Sequence, residues 1–163
     1  MKTLRKRRVQ HKTDYGKRIK LLKSGKPRIV FRRTNKYFIC QYVTSEEAKD
    51  KPVIGISSKA LLKHGWPKEA ISGLKSTPAS YLTGYLFGKE IISKKLETPI
   101  LDFGMLRMEH KGKTYSFIKG LIDSGLKVKC KEETFPDEKR ISGEHLKNKI
   151  PFNEIKSKIE SSK

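Results

Sequence analysis

The spacing of apolar and polar positions along the chain predicts its elements. Residues 14–22 put Tyr15, Ile19 and Leu22 on one helical face and Lys17, Arg18 and Lys20 on others, the pattern of a short helix. Ser24-Gly25-Lys26-Pro27 ends it. Ile29-Val30-Phe31 is the apolar part of a strand predicted at 27–31, and a second strand at 37–43 is rich in β-branched and aromatic residues. Thr34-Asn35-Lys36 between them is a polar turn, short enough to make the two strands an antiparallel hairpin. A polar loop at 45–51 precedes a shorter third strand at 52–57. Residues 59–75 carry a mixed signal. Ala60-Leu61-Leu62 fits one helical turn, Gly65-Trp66-Pro67 and Ser72-Gly73 interrupt it, and Trp66 is expected to be a packing anchor.

Residues 77–95 carry the clearest helix. Thr77 supplies an N-cap side chain and Pro78 the first helical position, where a missing N–H costs nothing. Tyr81, Tyr85, Gly88, Ile92 and Leu96 lie near one stripe, and Gly84 and Gly88 are expected to let the helix approach a sheet closely. A fourth strand at 98–103 ends at Gly104, and a second helix at 115–124 is stopped by Gly125. Leu126–Val128 fits a short fifth strand, and the rest is polar. The order β-β-β-α-β-α predicts an α/β fold, a mixed sheet packed with helices, with a basic N-terminal arm and a C-terminal tail. The expected layout is a basic arm at 1–26, a globular α/β core at 27–130 and a C-terminal extension at 131–163.

Charge changes this picture most. The 163 residues carry a formal net charge of +21, and residues 1–40 hold fifteen Lys and Arg against one acid, Asp14. Arg5, Lys6, Arg7, Arg8, Lys12, Lys17, Arg18, Lys20 and Lys23 repel one another unless a polyanion lies beside them, and nucleic acid is the commonest such partner. A merely solvated face has both signs interspersed, and here the acids are missing. The arm is too polar for an amphipathic membrane helix. No apolar run approaches the roughly 20 residues of a bilayer span. No apolar stretch follows the basic first ten residues, so secretion is not expected.

The hairpin adds a second basic feature. Arg28, Arg32, Arg33, Thr34, Asn35, Lys36 and Tyr37 gather at or near one turn, where arginine binds phosphates bidentately or stacks on bases. Tyr15, Tyr37 and Tyr42 offer stacking surfaces that suit RNA loops and bulges. The loop 105–113 brings Arg107, His110, Lys111 and Lys113.

Enzyme classes find little support. A β-β-β-α-β-α order is shared by RNase H-like nucleases, which need carboxylates converging on two metal ions. Asp102 is the only acid on a predicted strand, and the first strand carries Arg28, Arg32 and Arg33, which would repel a divalent cation. No phosphate-cradling lysine loop, paired-histidine metalloprotease motif or serine nucleophile elbow occurs. Cys40 and Cys130 are far apart and the four histidines lack ligand spacing, so no metal or cofactor is expected.

Several short stretches carry a resemblance. They are Thr13-Asp14-Tyr15, Arg18-Ile19-Lys20-Leu21-Leu22-Lys23-Ser24-Gly25-Lys26-Pro27-Arg28, Arg33-Thr34-Asn35-Lys36, Thr77-Pro78-Ala79-Ser80-Tyr81-Leu82-Thr83-Gly84, Leu101-Asp102-Phe103-Gly104, and Phe135-Pro136-Asp137-Glu138 through Gly143-Glu144-His145. In order and spacing the chain resembles, from about residue 5 to residue 150, the archaeal form of the large-subunit ribosomal protein family numbered eighteen in the universal scheme. The resemblance implies a sheet-and-helix fold with RNA-bound tails. It also implies a cytoplasmic ribosomal protein that binds 5S rRNA in the central protuberance and contacts the large-subunit rRNA and neighbouring ribosomal proteins. By position it makes the arm, the 32–37 turn and the 107–113 loop the RNA contacts. The stretch 67–76 departs from the Gly-rich stretch common in that family, with Lys68, Glu69 and Ser76 in place. The alternative is a non-specific nucleic-acid-binding architectural protein or RNA chaperone, which would bind unrelated RNAs and DNA equally.

Overall fold

The computed structural model describes residues 6–10, 12–47, 49–146 and 149–161. It is a mixed α/β fold around a four-stranded sheet in the order β3-β2-β1-β4, with β1 at Arg28–Arg33, β2 at Phe38–Glu46, β3 at Lys49–Ser57 and β4 at Ile100–Asp102. β1 and β4 run parallel, with Arg28 opposite Ile100, Ile29 opposite Leu101 and Val30 opposite Asp102. The chain divides into two compact units. One comprises Met1–Arg32, Cys40–Gly55 and Glu97–Arg107, the other Arg33–Ile39, Ile56–Leu96 and Met108–Lys163.

In the first unit, Ile29, Phe31, Cys40, Val43, Ile54 and Phe103 form the apolar core, with the Phe31 and Phe103 rings edge-on at 5.8 Å. Burial pushes the Cys40 thiol well up, so it is an inert small hydrophobe. The Tyr42 hydroxyl donates to the Glu97 carbonyl at 3.0 Å. Two helices precede the sheet, α1 at Lys6–Val9 and α2 at Tyr15–Lys23. Asp14 caps α2 by accepting from the Lys17 amide at 3.1 Å. The expected loop at 45–51 is mostly strand, because β2 continues to Glu46 and β3 begins at Lys49. Polar pairs hold that end of the ladder, Lys51 to Glu46 at 2.8 Å and Ser45 to Asp50 at 2.7 Å, so apolar alternation does not mark it.

In the second unit, α3 (Thr77–Ser93) lies against α4 (Lys113–Asp123). The small residues of α3 serve this helix rather than a sheet. A Cβ on Gly84 would collide with the Phe117 carbonyl, and one on Gly120 with the Tyr81 carbonyl. Ser80 donates to the Lys113 carbonyl at 2.7 Å and Ser116 to the Thr77 carbonyl at 3.0 Å, which satisfies buried hydroxyls at the contact. The N-cap of α3 is Ser76, not Thr77; its extended backbone lets Oγ accept from the Ala79 amide. Leu126 belongs to no strand. With Gly125 left-handed at φ +104°, the Leu126 amide turns back to the Leu121 carbonyl and closes α4.

Residues 59–75 resolve into two 3-10 helices, Ser58–His64 and Lys68–Lys75, around Trp66. Trp66 is buried and donates Nε1 to the Ala70 carbonyl at 2.9 Å, the anchor expected of it. The segment 131–163 is more than a polar tail. It forms α5 (Glu138–Ser142) and α6 (Phe152–Ser161), and Ile155 and Ile159 of α6 are fully buried. Phe152 packs on Tyr81 with ring centroids 5.5 Å apart, and Tyr85 donates to Glu160 at 2.7 Å. Burial and that carboxylate push the Tyr85 hydroxyl up to about 12.

Candidate nucleic-acid interface

The arm places its cations unevenly. Arg5 lies outside the described residues, and Lys6 and Arg8 are described only as members of α1. Arg7 is exposed and donates Nε to the Thr13 hydroxyl at 3.0 Å. α2 has no buried residue. Polar contacts tie it down, Lys17 Nζ to the Gly104 carbonyl at 3.2 Å and Arg18 to Asp50 at 2.9 Å. Lys12, Lys20 and Lys23 are exposed, and Tyr15 is half-buried. Arg7, Lys12, Lys17, Arg18 and Arg32 line one cavity of about 110 Å³ in this unit, with Asp14 and Asp102 the acids in its wall.

Arg28 departs from the expected exposed contact. It is 2% exposed, and its guanidinium meets Asp50 at 2.7 Å, Ser45 at 2.9 Å and Asp102 at 3.3 Å. Its charge is neutralised inside the protein, as burial requires. Burial alone would push the Asp50 carboxyl up. The Ser45 hydrogen bond and the charges of Arg28 and Arg18 outweigh that and hold it below its ordinary range. Arg32 donates to the Phe31 and Asp102 carbonyls, each at 2.8 Å, and lies 3.4 Å from the Asp102 carboxylate. It keeps 43% of its side chain in solvent. One ion-pair chain, Arg18–Asp50–Arg28–Asp102–Arg32, therefore runs through this unit.

The second unit uses its cations differently. The turn is built by Thr34, whose hydroxyl donates to the Tyr37 carbonyl at 2.6 Å and accepts from the Tyr37 amide at 3.0 Å. This fixes the loop and leaves Arg33, Asn35 and Lys36 exposed at its tip. Lys59 sits 4.6 Å from the centroid of the half-buried Tyr37 ring, a cation–π contact. Lys113, at the start of α4, is half-buried. Burial, then the nearby charges of Arg33, Lys75 and Arg140, hold its ammonium below the ordinary lysine range. None of these four cations has an ion-pair partner among the described residues. A cluster of one sign, beside a unit that pairs Arg18, Arg28 and Arg32 with aspartates, is an electrostatic cradle for anions.

Arg107 and Lys111 are exposed, and Lys111 reaches Asp137 at 3.3 Å in a solvent-facing pair of little energetic weight. Sequence patterning singles out Arg33 and Lys113 but misses Lys59, Lys75 and Arg140. Lys59 and Lys75 fall in the segment without clear periodicity. Arg140 lies in the stretch read as a tail, and only the fold carries it to the cluster.

Residues 1–99 match the protein family described as ribosomal large subunit proteins 60S L5, and 50S L18. The chain is 43% identical over 141 residues to the large ribosomal subunit protein uL18 of Korarchaeum cryptofilum, a match covering 86% of this chain and 70% of that protein. It is 38% identical over 149 residues to the uL18 of Thermoplasma volcanium, covering 91% of each. With the uL18 of Methanothermobacter thermautotrophicus it shares 38% over 141 residues, 86% of this chain and 71% of that protein.

Proposed function

The chain belongs to the family of ribosomal large subunit proteins 60S L5 and 50S L18, in its archaeal type, and on that premise we propose that it binds 5S rRNA and anchors it in the central protuberance against the large-subunit rRNA. It is a structural, non-enzymatic constituent of the cytoplasmic ribosome. The observation that best supports the finer reading is the unneutralised cluster of Arg33, Lys75, Lys113 and Arg140. Such a cluster is self-repelling in the free protein and relieved by a phosphate backbone.

The roles divide by how each charge is held. Lys12, Lys20 and Lys23 of the exposed arm and Arg107 and Lys111 of the loop contact phosphate and supply affinity without sequence preference. The 33–37 turn, fixed by Thr34, presents Asn35 and Tyr37 in a set geometry to RNA shape. The residues 1–26 act as an RNA-binding arm whose helix α2 is oriented by Asp50 and the Gly104 carbonyl.

The test is binding of the full chain to its own organism's 5S rRNA beside a structured RNA of equal length, across a salt series. Six to ten phosphate contacts lower affinity by roughly 10³–10⁵ between about 50 and 200 mM salt. A 5S preference that persists as salt rises is the expected result. Equal binding of both RNAs at every salt would leave a non-specific architectural protein instead.

A further inference from the structure

Beside the cationic cluster of the second unit lies a groove of about 650 Å³, formed by the turn at Asn35, Lys36 and Tyr37 and by Lys59, Leu62, Ile71, Ser72, Leu74 and Lys75 of the two 3-10 helices. No acid lines it. Its floor is the buried Leu74, one wall is the half-buried Leu62, and Ile71 stands 51% exposed. Ile71 therefore presents an apolar side chain to solvent beside two leucines and three lysines, so one groove combines an apolar wall with cationic edges. The volume falls within the roughly 300–1,000 Å³ of pockets that enclose a small organic group.

We infer that this groove takes a single unstacked RNA base, with the aliphatic wall of Leu62, Ile71 and Leu74 against the base and Lys36, Lys59 and Lys75 on its flanking phosphates. The inference rests on the RNA-binding reading and adds a defined subsite to it. Lys75 belongs both to the groove and to the cluster with Arg33, Lys113 and Arg140, so base and phosphate sites are contiguous. Lys59 already covers one face of Tyr37, which leaves the aliphatic side for the base. An apolar slot whose charged lining is Lys36, Lys59 and Lys75 matches a nucleotide, which is a flat apolar body with anionic neighbours. It recognises an extruded base and not a duplex, whose bases are stacked away.

The test compares the full chain with its Ile71→Ser and Ile71→Ala variants, and with Ile92→Ser as a control at an exposed isoleucine of α3. The probes are a short single-stranded RNA of mixed sequence and the same RNA annealed into a duplex, at matched salt. Ile71→Ser should weaken single-strand binding about fivefold, as loss of one base contact does, and leave duplex binding within about twofold. Ile71→Ala should weaken it less and in the same direction, and Ile92→Ser should change neither. Equal losses on both probes, or none on either, overturn the inference. Loss of the 5S preference in the earlier experiment would sink that reading without moving these ratios.

Discussion

Arg32 and Arg33 are neighbours in sequence, yet the two units treat them oppositely. Arg32 is bound to Asp102 by backbone and carboxylate contacts, in an ion-pair chain that also holds Arg18 and Arg28. Arg33 joins Lys75, Lys113 and Arg140, and none of them has an ion-pair partner among the described residues. Cations of the first kind organise the protein, because their charge is spent on the fold. Cations of the second kind cost the free protein stability and are available to a polyanion. Counting basic residues cannot separate the two kinds, whereas the position of two aspartates does.

The sharpest break in this comparison is Asp102→Ala. It strips Arg28 of one carboxylate, removes the acceptor of the Gly104 amide at 2.8 Å and takes from Arg32 its carboxylate contact at 3.4 Å, leaving the two backbone carbonyls. Leaving a buried guanidinium with half its compensation should cost about 3 kcal/mol, read as a drop in the urea midpoint without a change in slope. A loss below about 0.5 kcal/mol, the scale of ordinary surface changes, would show that Arg28 is adequately held by Asp50 and Ser45 alone. The reverse case is Arg33→Ala with Lys113→Ala. Stability should hold within about 0.5 kcal/mol or rise, while RNA affinity falls about tenfold and the salt dependence flattens by roughly one to two phosphates. An unchanged salt slope would remove these two residues from the phosphate contacts. A smaller effect is expected of Lys20→Ala with Lys23→Ala on exposed α2. Two phosphate contacts fewer should weaken every RNA alike and leave any 5S preference intact.

Much of the frame was legible because its signals are local. Asp14 marks the start of α2, Thr34-Asn35-Lys36 the hairpin, Pro78 the start of α3, and Gly125 the end of α4. What escaped depends on distant partners. Asp102 lies 70 residues from Arg32, and Asp50 sits where polar cross-strand pairs imitate a loop. The helix α6 buries only Ile155 and Ile159, two positions four apart in a Lys- and Ser-rich segment, too few to show a period. Gly84 marks a point of close approach in the sequence, but a glycine does not say whether a helix or a sheet approaches it. For the interface, net charge located the arm and turn. It could not tell Arg28, neutralised at 2% exposure, from Arg33 at the tip.

Acid and alkali test the two kinds of charge separately. The carboxyl of Asp50 is held below its ordinary 3.8 in the folded chain, so its contribution is complete above that value and disappears as pH falls through the folded one. Asp50→Asn should therefore flatten the acid limb of the stability curve. Lys113 works at the other end. Its ammonium is held below the ordinary 10.5, so between the folded value and 10.5 the unfolded chain binds more protons and stability rises with pH. A phosphate beside Lys113 opposes the cause of that depression and restores the proton. RNA binding in this alkaline window should thus take up a fraction of one proton, visible as a difference between binding heats in two buffers of unlike ionisation enthalpy. Lys113→Gln should abolish the uptake, whereas Lys20→Ala should not. Uptake unaffected by Lys113→Gln would mean that the phosphate lies elsewhere and that the second unit's cluster is a strained feature of the fold rather than its RNA-facing charge.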